Sequence, residues 1–326
     1  MPYSASWLFT YTLIIAMLTS GNTLADAGPK VGARVWTKLT ADLQAEKVEP
    51  SFDVYRGFLT ADFVADEQWS AHIIIDAQTT KAALGAINTG SGVSLFQAMV
   101  RGKSLILKDD VLLVGLSPGH YLVPLYKKLK TRHLGKTLSH HQGNFGARQL
   151  GVSYLLNFSG VRMGLHAHEA DRTHGKKSDH NLGVSTTIGY DFTEHIGVMA
   201  SHSFAQGDDS TSASQHATAL ALYTSNPDYR VALELSFKKI NDLDATPFGY
   251  GMTANIKIWE KLRLFTRVFT GNQAYQTDVG GLLVWSVGPT LNITKGVSIG
   301  AVFDSTEALE GADPTRTVSL VLTANL

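Results

Sequence analysis

From residue 31 to the end of the chain, apolar and polar residues alternate in one segment after another. Between 179 and 191, Leu182, Val184, Thr186, Ile188 and Tyr190 share one parity, and Asn181, Gly183, Ser185, Thr187 and Gly189 share the other. A strand sends successive side chains to opposite faces, so this period makes one greasy face and one polar face; a helix would scatter the same residues around its circumference. The pattern recurs with Val31, Ala33, Val35 and Leu39 against Arg34, Trp36, Lys38, Thr40 and Asp42. It recurs with Tyr229, Val231, Leu233, Leu235 and Phe237 against Arg230, Glu234, Ser236 and Lys238. Near the end, Val318, Leu320, Leu322 and Ala324 oppose Thr317, Ser319, Thr323 and Asn325. Ile74 breaks the rule, lying on the polar parity of Ser70, His72 and Asp76.

Short turns near 65–67, 108–110, 158–160, 192–194, 225–228, 260–261 and 294–296 alternate with long polar loops near 79–93, 117–144, 170–179, 205–215, 239–247, 271–279 and 304–315. This is the rhythm of a membrane barrel, with short turns at the periplasmic end and long loops outside. The expected fold is therefore all-β: a transmembrane antiparallel β-barrel of about sixteen strands, with fourteen to eighteen compatible. The first hairpin falls between 46 and 51, and strands over 94–107 and 111–116 alternate least clearly. The rival all-β arrangement is a soluble sandwich, whose apolar face turns inward. Small polar residues and charges on the polar face, and alternation through nearly the whole chain, favour a sheet closed on itself in lipid. Tyr55, Trp69, Tyr190, Tyr223, Tyr229 and Tyr250 fall at segment ends, where interfacial girdles sit.

Composition sharpens this. Of 326 residues, 44% are hydrophobic and only 17% charged, against about a quarter charged in an ordinary soluble domain. Lys+Arg and Asp+Glu both number 28, which argues against nucleic-acid binding, since that wants a basic excess. No cysteine is present, which removes disulfides, zinc-thiolate sites and cysteine nucleophiles together. The apolar run Trp7 to Leu18 is too short to span a bilayer as a helix. It is followed by Ala25-Asp26-Ala27, an A-x-A cleavage signal, although no Lys or Arg precedes it. Residues 1–27 are thus expected to be a signal peptide, an uncleaved anchor being the alternative, and 28–326 a single outer-membrane barrel of a Gram-negative bacterium.

The candidate chemistry is electrostatic. The longest loop, 117–144, carries Lys127, Lys128, Lys130, Arg132, His133, Lys136, His140 and His141 with no acidic residue, after an apolar stretch from Leu122 to Tyr126. Two placements are open: folded into the barrel as a constriction, or outside, binding lipopolysaccharide phosphates. By parity Arg34, Lys38, Arg56, Arg162, Arg230, Lys257, Arg263 and Arg267 point into the lumen, with Asp42, Asp62, Asp76 and Glu234. Rings of charge set ion preference in pores. The expected function is a porin passing small hydrophilic solutes, with a mild preference for anions, pore-lined by these cations and by Lys127, Lys128, Lys130 and Arg132 of the loop. A plugged structural or adhesive barrel is the alternative. An outer-membrane lipid hydrolase is disfavoured, because His202 and Ser203 are adjacent on a strand and face opposite ways. His166 and His168 share a face but have no clear third metal ligand, so neither cofactor nor metal is expected.

The stretch 51–170 resembles the porin O/P family of phosphate-selective porins and their relatives. Val54-Tyr55-Arg56-Gly57-Phe58-Leu59-Thr60-Ala61 is similar to an early strand of that family. Val111 to Pro118 is similar to its strand running into the inward loop, with Gly115-Leu116 where Gly-Gln is usual. Gly146-Ala147-Arg148-Gln149-Leu150-Gly151-Val152 is similar to its next strand start. The resemblance implies a sixteen-stranded homotrimeric barrel with an inward loop. The family's arginine ladder and lysine cluster align to no named positions here, so phosphate selectivity is not carried over.

Overall fold

The computed structural model describes residues 28–44, 50–78, 92–132, 134, 136–141, 148–169, 182–206, 214–240, 248–271, 281–294, 296–308 and 314–325. The expected signal peptide, 1–27, and most of the long loops lie outside the described residues. The strands are β1 (Lys30–Asp42), β2 (Pro50–Val64), β3 (Trp69–Gln78), β4 (Gly92–Lys103), β5 (Val111–Pro118), β6 (Arg148–Phe158), β7 (Val161–Glu169) and β8 (Leu182–Asp191). The second half comprises β9 (Ile196–Ala205), β10 (Gln215–Ser225), β11 (Tyr229–Ile240), β12 (Phe248–Lys257), β13 (Leu262–Gly271), β14 (Leu282–Asn292), β15 (Val297–Ala308) and β16 (Thr315–Asn325). Each pairs antiparallel with its sequence neighbours, and β1 pairs with β16 from Arg34↔Asn325 to Asp42↔Thr317, closing a sixteen-stranded barrel. Closure is what lets strands sit in lipid, because no ladder edge is left with unpaired N–H and C=O groups.

The parity read from the sequence sets which face meets lipid. Leu59, Leu165, Ile188, Leu233, Leu235 and Leu322 are exposed on the outside, while Ser153, Ser201, Ser286 and Ser319 are buried within. Phe158, Phe192, Tyr229 and Trp259 are exposed beside the short turns, a girdle at that end. Tyr223 does not belong to it. It lies on the inward parity of Ala217, Ala219 and Ala221 and is buried among them.

Two local departures have physical causes. Ile74 is inward, and packs against the edge-to-face pair Trp36–Phe58, whose centroids are 5.2 Å apart. The β3–β4 register shifts beside it, Ile74 facing Gln97 and Ile75 facing Leu95, so that Phe96 is an extra residue on β4 while β3 keeps its own parity. Strand β4 ends at Lys103, short of the expected 107, because Asp110 folds 104–110 into a turn. Its carboxylate accepts N–H bonds from Leu105, Ile106 and Leu107 at 2.7, 2.9 and 2.8 Å and the Tyr154 hydroxyl at 2.6 Å. Ser104 and Asp109 adopt φ of 52° and 65°.

Candidate pore constriction

The long loop leaves β5 and folds into the barrel. Gly115, at φ 117°, prepares the departure: a Cβ there would stand 2.4 Å from the Ala98 carbonyl oxygen. Helix α1 (Leu122–Leu129) follows. Pro124 sits in its first turn, where no N–H is needed, and Lys127 and Lys128 occupy the last turn, at the negative end of the helix dipole. Lys130, at φ 55°, ends it. Leu122, Leu125, Tyr126 and Leu129 recur at helical spacing and are buried against Met199, Ala217, Ala219, Ala221, Tyr223 and Ala232 of β9–β11. Beyond α1, Leu134 packs on Phe265 and Val302, and Leu138, which opens the short helix α2 (Leu138–His141), packs on Phe269 and Val284. The loop thus lies along the inner wall from β9 to β15.

Polar bonds fix it there. Glu234 of β11, 3% exposed, accepts bonds from the backbone N–H groups of Leu138 and Ser139 at 3.1 and 3.4 Å, from Ser139 Oγ at 2.9 Å and from Tyr121 Oη at 3.3 Å. Arg267 donates to the Lys136 carbonyl at 2.9 Å, and Asn255 to the Leu129 carbonyl at 3.3 Å. Thr137 N–H donates to Tyr126 Oη at 3.0 Å. Burial pushes the Tyr126 phenol up to about 12. Burial first, and then the Glu234 carboxylate, raise that of Tyr121 well above its usual range. Both hydroxyls therefore stay protonated.

The other side of the loop faces open space. One cavity of 570 Å³ lies between Val123, Tyr126, Lys127, Lys130 and Arg132 of the loop and Arg34, Trp36, Arg230, Asn255 and Arg263 of the wall. A second, of 520 Å³, shares Arg34, Trp36, Val123, Lys127 and Arg132 and continues past Asp62, His72 and Arg101 along β1–β4. Among the described residues six cations line the first cavity and no carboxylate does. Among the described residues Arg34, Lys127, Lys130, Arg230 and Arg263 make no ion pair. Lys130 is drawn below its ordinary pKa, first by Arg230, then by burial and by Arg263. That is the mark of a strongly positive local potential.

The remaining sequence candidates divide differently. Lys128 and Arg162 both reach Asp191, at 3.3 and 3.2 Å, where the Tyr223 hydroxyl also donates. Arg267 pairs with Asp304 at 3.0 Å, and Lys257 with Asp228 at 3.1 Å. Lys38 is inward, opposite Val321 and Asp53. The side chain of Arg56 lies outside those described. Arg101, on a strand whose poor alternation hides its face in the sequence, also lines the second cavity. His72 and Asp62, facing each other across β2–β3, bond at 2.5 Å. Among the described residues no group of three His, Cys, Asp or Glu side chains has metal-holding geometry.

The comparisons with known proteins fall in line with the barrel. No family model and no characterised sequence matches the chain. Solved structures do. OmpF of Salmonella typhi, in complex with daunomycin, matches with a TM-score of 0.70 at 10% identity, over 91% of this chain and 97% of that one. An anion-selective porin from Comamonas acidovorans matches at 0.69 and 11%, over 92% and 99%. The high-pH structure of OprB of Pseudomonas putida matches at 0.70 and 7%, over 99% and 97%. The class these define is the closed sixteen-stranded antiparallel β-barrel, a fold the chain shares with outer-membrane porins. At these identities the likeness is one of fold.

Proposed function

We propose that the protein is a general-diffusion porin with a preference for anions. The observation that carries this is the 570 Å³ cavity between loop and wall, lined by Arg34, Lys127, Lys130, Arg132, Arg230 and Arg263 and, among the described residues, by no carboxylate. In a confined passage of reduced dielectric such cations act on a passing anion far more strongly than on an open surface. The space left between α1 and β1–β4 favours an open passage over a plugged, structural barrel. The solutes are small, hydrophilic and, by preference, anionic. The resemblance of 51–170 to the porin O/P family agrees with this reading, and the proposal includes a homotrimer, lipopolysaccharide around the barrel and an export signal over 1–27. An enzymatic role gains nothing: His202 lies on the lipid-facing parity and Ser203 on the lumenal one.

The test is single-channel recording in planar bilayers across a salt gradient. Steady steps with a reversal potential on the anion side are expected. A cation-side potential overturns the preference, and silence from heat-modifiable, folded protein favours the plugged barrel.

A further inference from the structure

Three imidazoles meet where the loop leaves the wall. His120, two residues after β5, stands edge-on to His166 of β7 with centroids 4.8 Å apart, and His166 stacks on His168 at 4.8 Å. Ser153 of β6 bridges the first two, its Oγ lying 2.8 Å from His120 Nε2 and 2.5 Å from His166 Nδ1. One hydroxyl has one proton, so it donates to one ring and accepts from the other. His168 Nδ1–H donates to the Glu169 carbonyl at 3.1 Å, and its Nε2 meets Ser185 Oγ of β8 at 2.7 Å. His166 is 1% exposed, and its Nε2 is buried with no hydrogen-bond partner. The other charged groups around the cluster are engaged elsewhere: Arg162 and Lys128 on Asp191, and Glu234 on Tyr121 and α2. Glu169 follows His168 on β7. None of these rings lines either of the two cavities, and the diffusion function leaves them unused.

We propose that this imidazole stack is an acid-sensitive hinge, and that charging it drives the root of the loop and α1 off the wall into the passage. The proposal rests on the channel reading above. Neutral rings stack and share one hydroxyl; charged rings at the same spacing repel, and with His166 and His168 buried and His120 only partly exposed, little water screens them. Burial, and then His168, hold His120 down to about 4. A buried base with so depressed a value takes up its proton most readily in a conformation that exposes it. The direction of movement follows from the packing. Behind α1 stands the barrel wall of Ala217, Ala219 and Ala221, so any displacement goes toward Trp36 and narrows the cavities.

The full-length protein is recorded in planar bilayers between pH 7 and 3.5, with each conductance divided by that of the bulk solution. The wild type is expected to lose at least half of its pH 7 conductance, reversibly, with the fall centred near 4. His120→Phe, which keeps a ring against His166 but cannot be charged, is expected to keep most of its own pH 7 value. A conductance independent of pH, or a fall in His120→Phe equal to that of the wild type, overturns the hinge. So does a response abolished by Glu234→Gln but not by His120→Phe, which would place the acid effect at the loop's anchor. Absence of any channel at pH 7 strikes the channel reading instead, and the movement is then read without current. The chain has no cysteine, so bimane on Val123→Cys reports distance to Trp36, which lines the same cavities. Quenching that deepens below about pH 4 and vanishes in His120→Phe supports the hinge; quenching flat across the range overturns it.

Discussion

The inner surface of this barrel is two surfaces. From β9 to β15 the inward positions include Ala217, Ala219, Ala221, Phe265, Phe269, Val284 and Val302, and the loop lies on them as a core layer. From β1 to β4 the inward positions are Arg34, Thr60, Asp62, His72 and Arg101, and they face open space. Both obey the same strand parity. The difference teaches that "inward" on a barrel names a direction and not an environment: whether the residue meets water depends on what the lumen contains. It also sorts the cations. Those without an ion pair, such as Arg34, Lys127 and Lys130, border the cavities, while Arg267 sits under the loop, bonded to Asp304 and to the Lys136 carbonyl.

The contrast is broken most sharply at Glu234. Replacing it with Ala removes the carboxylate that accepts from the N–H groups of Leu138 and Ser139 and from the Tyr121 hydroxyl inside the packed layer. Losses of about 3 kcal/mol are usual for breaking such a buried network. Urea unfolding in lipid vesicles is expected to show that destabilisation, and single-channel traces are expected to flicker as the loop works loose. The corresponding change on the other surface, Asp62→Ala, removes one partner of a half-exposed pair and is expected to cost under about 1 kcal/mol. Equal costs would erase the distinction between the two walls.

Packing offers a second cut. Ala219 is fully buried between β10 and α1, so Ala219→Leu overfills the layer, at about 1–3 kcal/mol. The displaced helix also lowers conductance. Ser70→Leu, on the open wall, adds a side chain where a cavity exists and is expected to leave stability within about 0.5 kcal/mol. The same pair of variants measured by unfolding and by conductance separates packing from blockage.

The unpaired and paired cations should part in selectivity. A charge reversal at Lys130 acts on the potential of the cavity directly. At near-aqueous dielectric a charge a few ångströms from a passing ion is worth about 1 kcal/mol, or roughly fivefold in permeability ratio. Lys130→Glu is therefore expected to move the reversal potential clearly toward cations. Lys257→Gln, whose ammonium already sits 3.1 Å from Asp228, is expected to move it by much less.

How much of this was legible in the sequence follows the same division. Strand number, face and the short-turn rhythm were legible because period 2 is imposed by the backbone and repeated in every segment. The open wall was legible too, since Arg34 and Asp62 are polar where lipid forbids polarity. The covered wall was not. Ala217, Ala219 and Ala221 against Leu220 and Leu222 give β10 two apolar faces, which a lipid-to-water parity rule cannot sort. That double face was the available signal that something packs inside, and the Leu122–Leu125–Tyr126–Leu129 stripe was its partner. The pairings of Lys128 and Arg162 with Asp191, and the anchoring role of Glu234, needed contacts across tens of residues that no local pattern encodes.

The smallest effect tests whether the open wall stands without the loop's help, at the turn that joins β4 to β5. Burial works to raise the Asp110 pKa, but the Tyr154 hydroxyl and three backbone N–H groups outweigh it and hold the carboxyl at about 2, below its ordinary 3.8. A depressed folded-state value means that the ionised form stabilises the fold: the contribution is complete above about pH 4 and is lost as the pH falls through 2. Thermal unfolding should therefore show a small acid-dependent decline between these limits in the wild type. The decline should be shallower in Asp110→Asn, which cannot titrate there and is less stable at neutral pH. No hydrogen bond or ion pair joins this turn to the described residues of the loop, so the Asp110→Asn change should add to that of Glu234→Ala without coupling, as separated sites do. A coupling beyond about 0.5 kcal/mol would mean that the two walls answer to each other, and that the loop supports the open side as well as the side it covers.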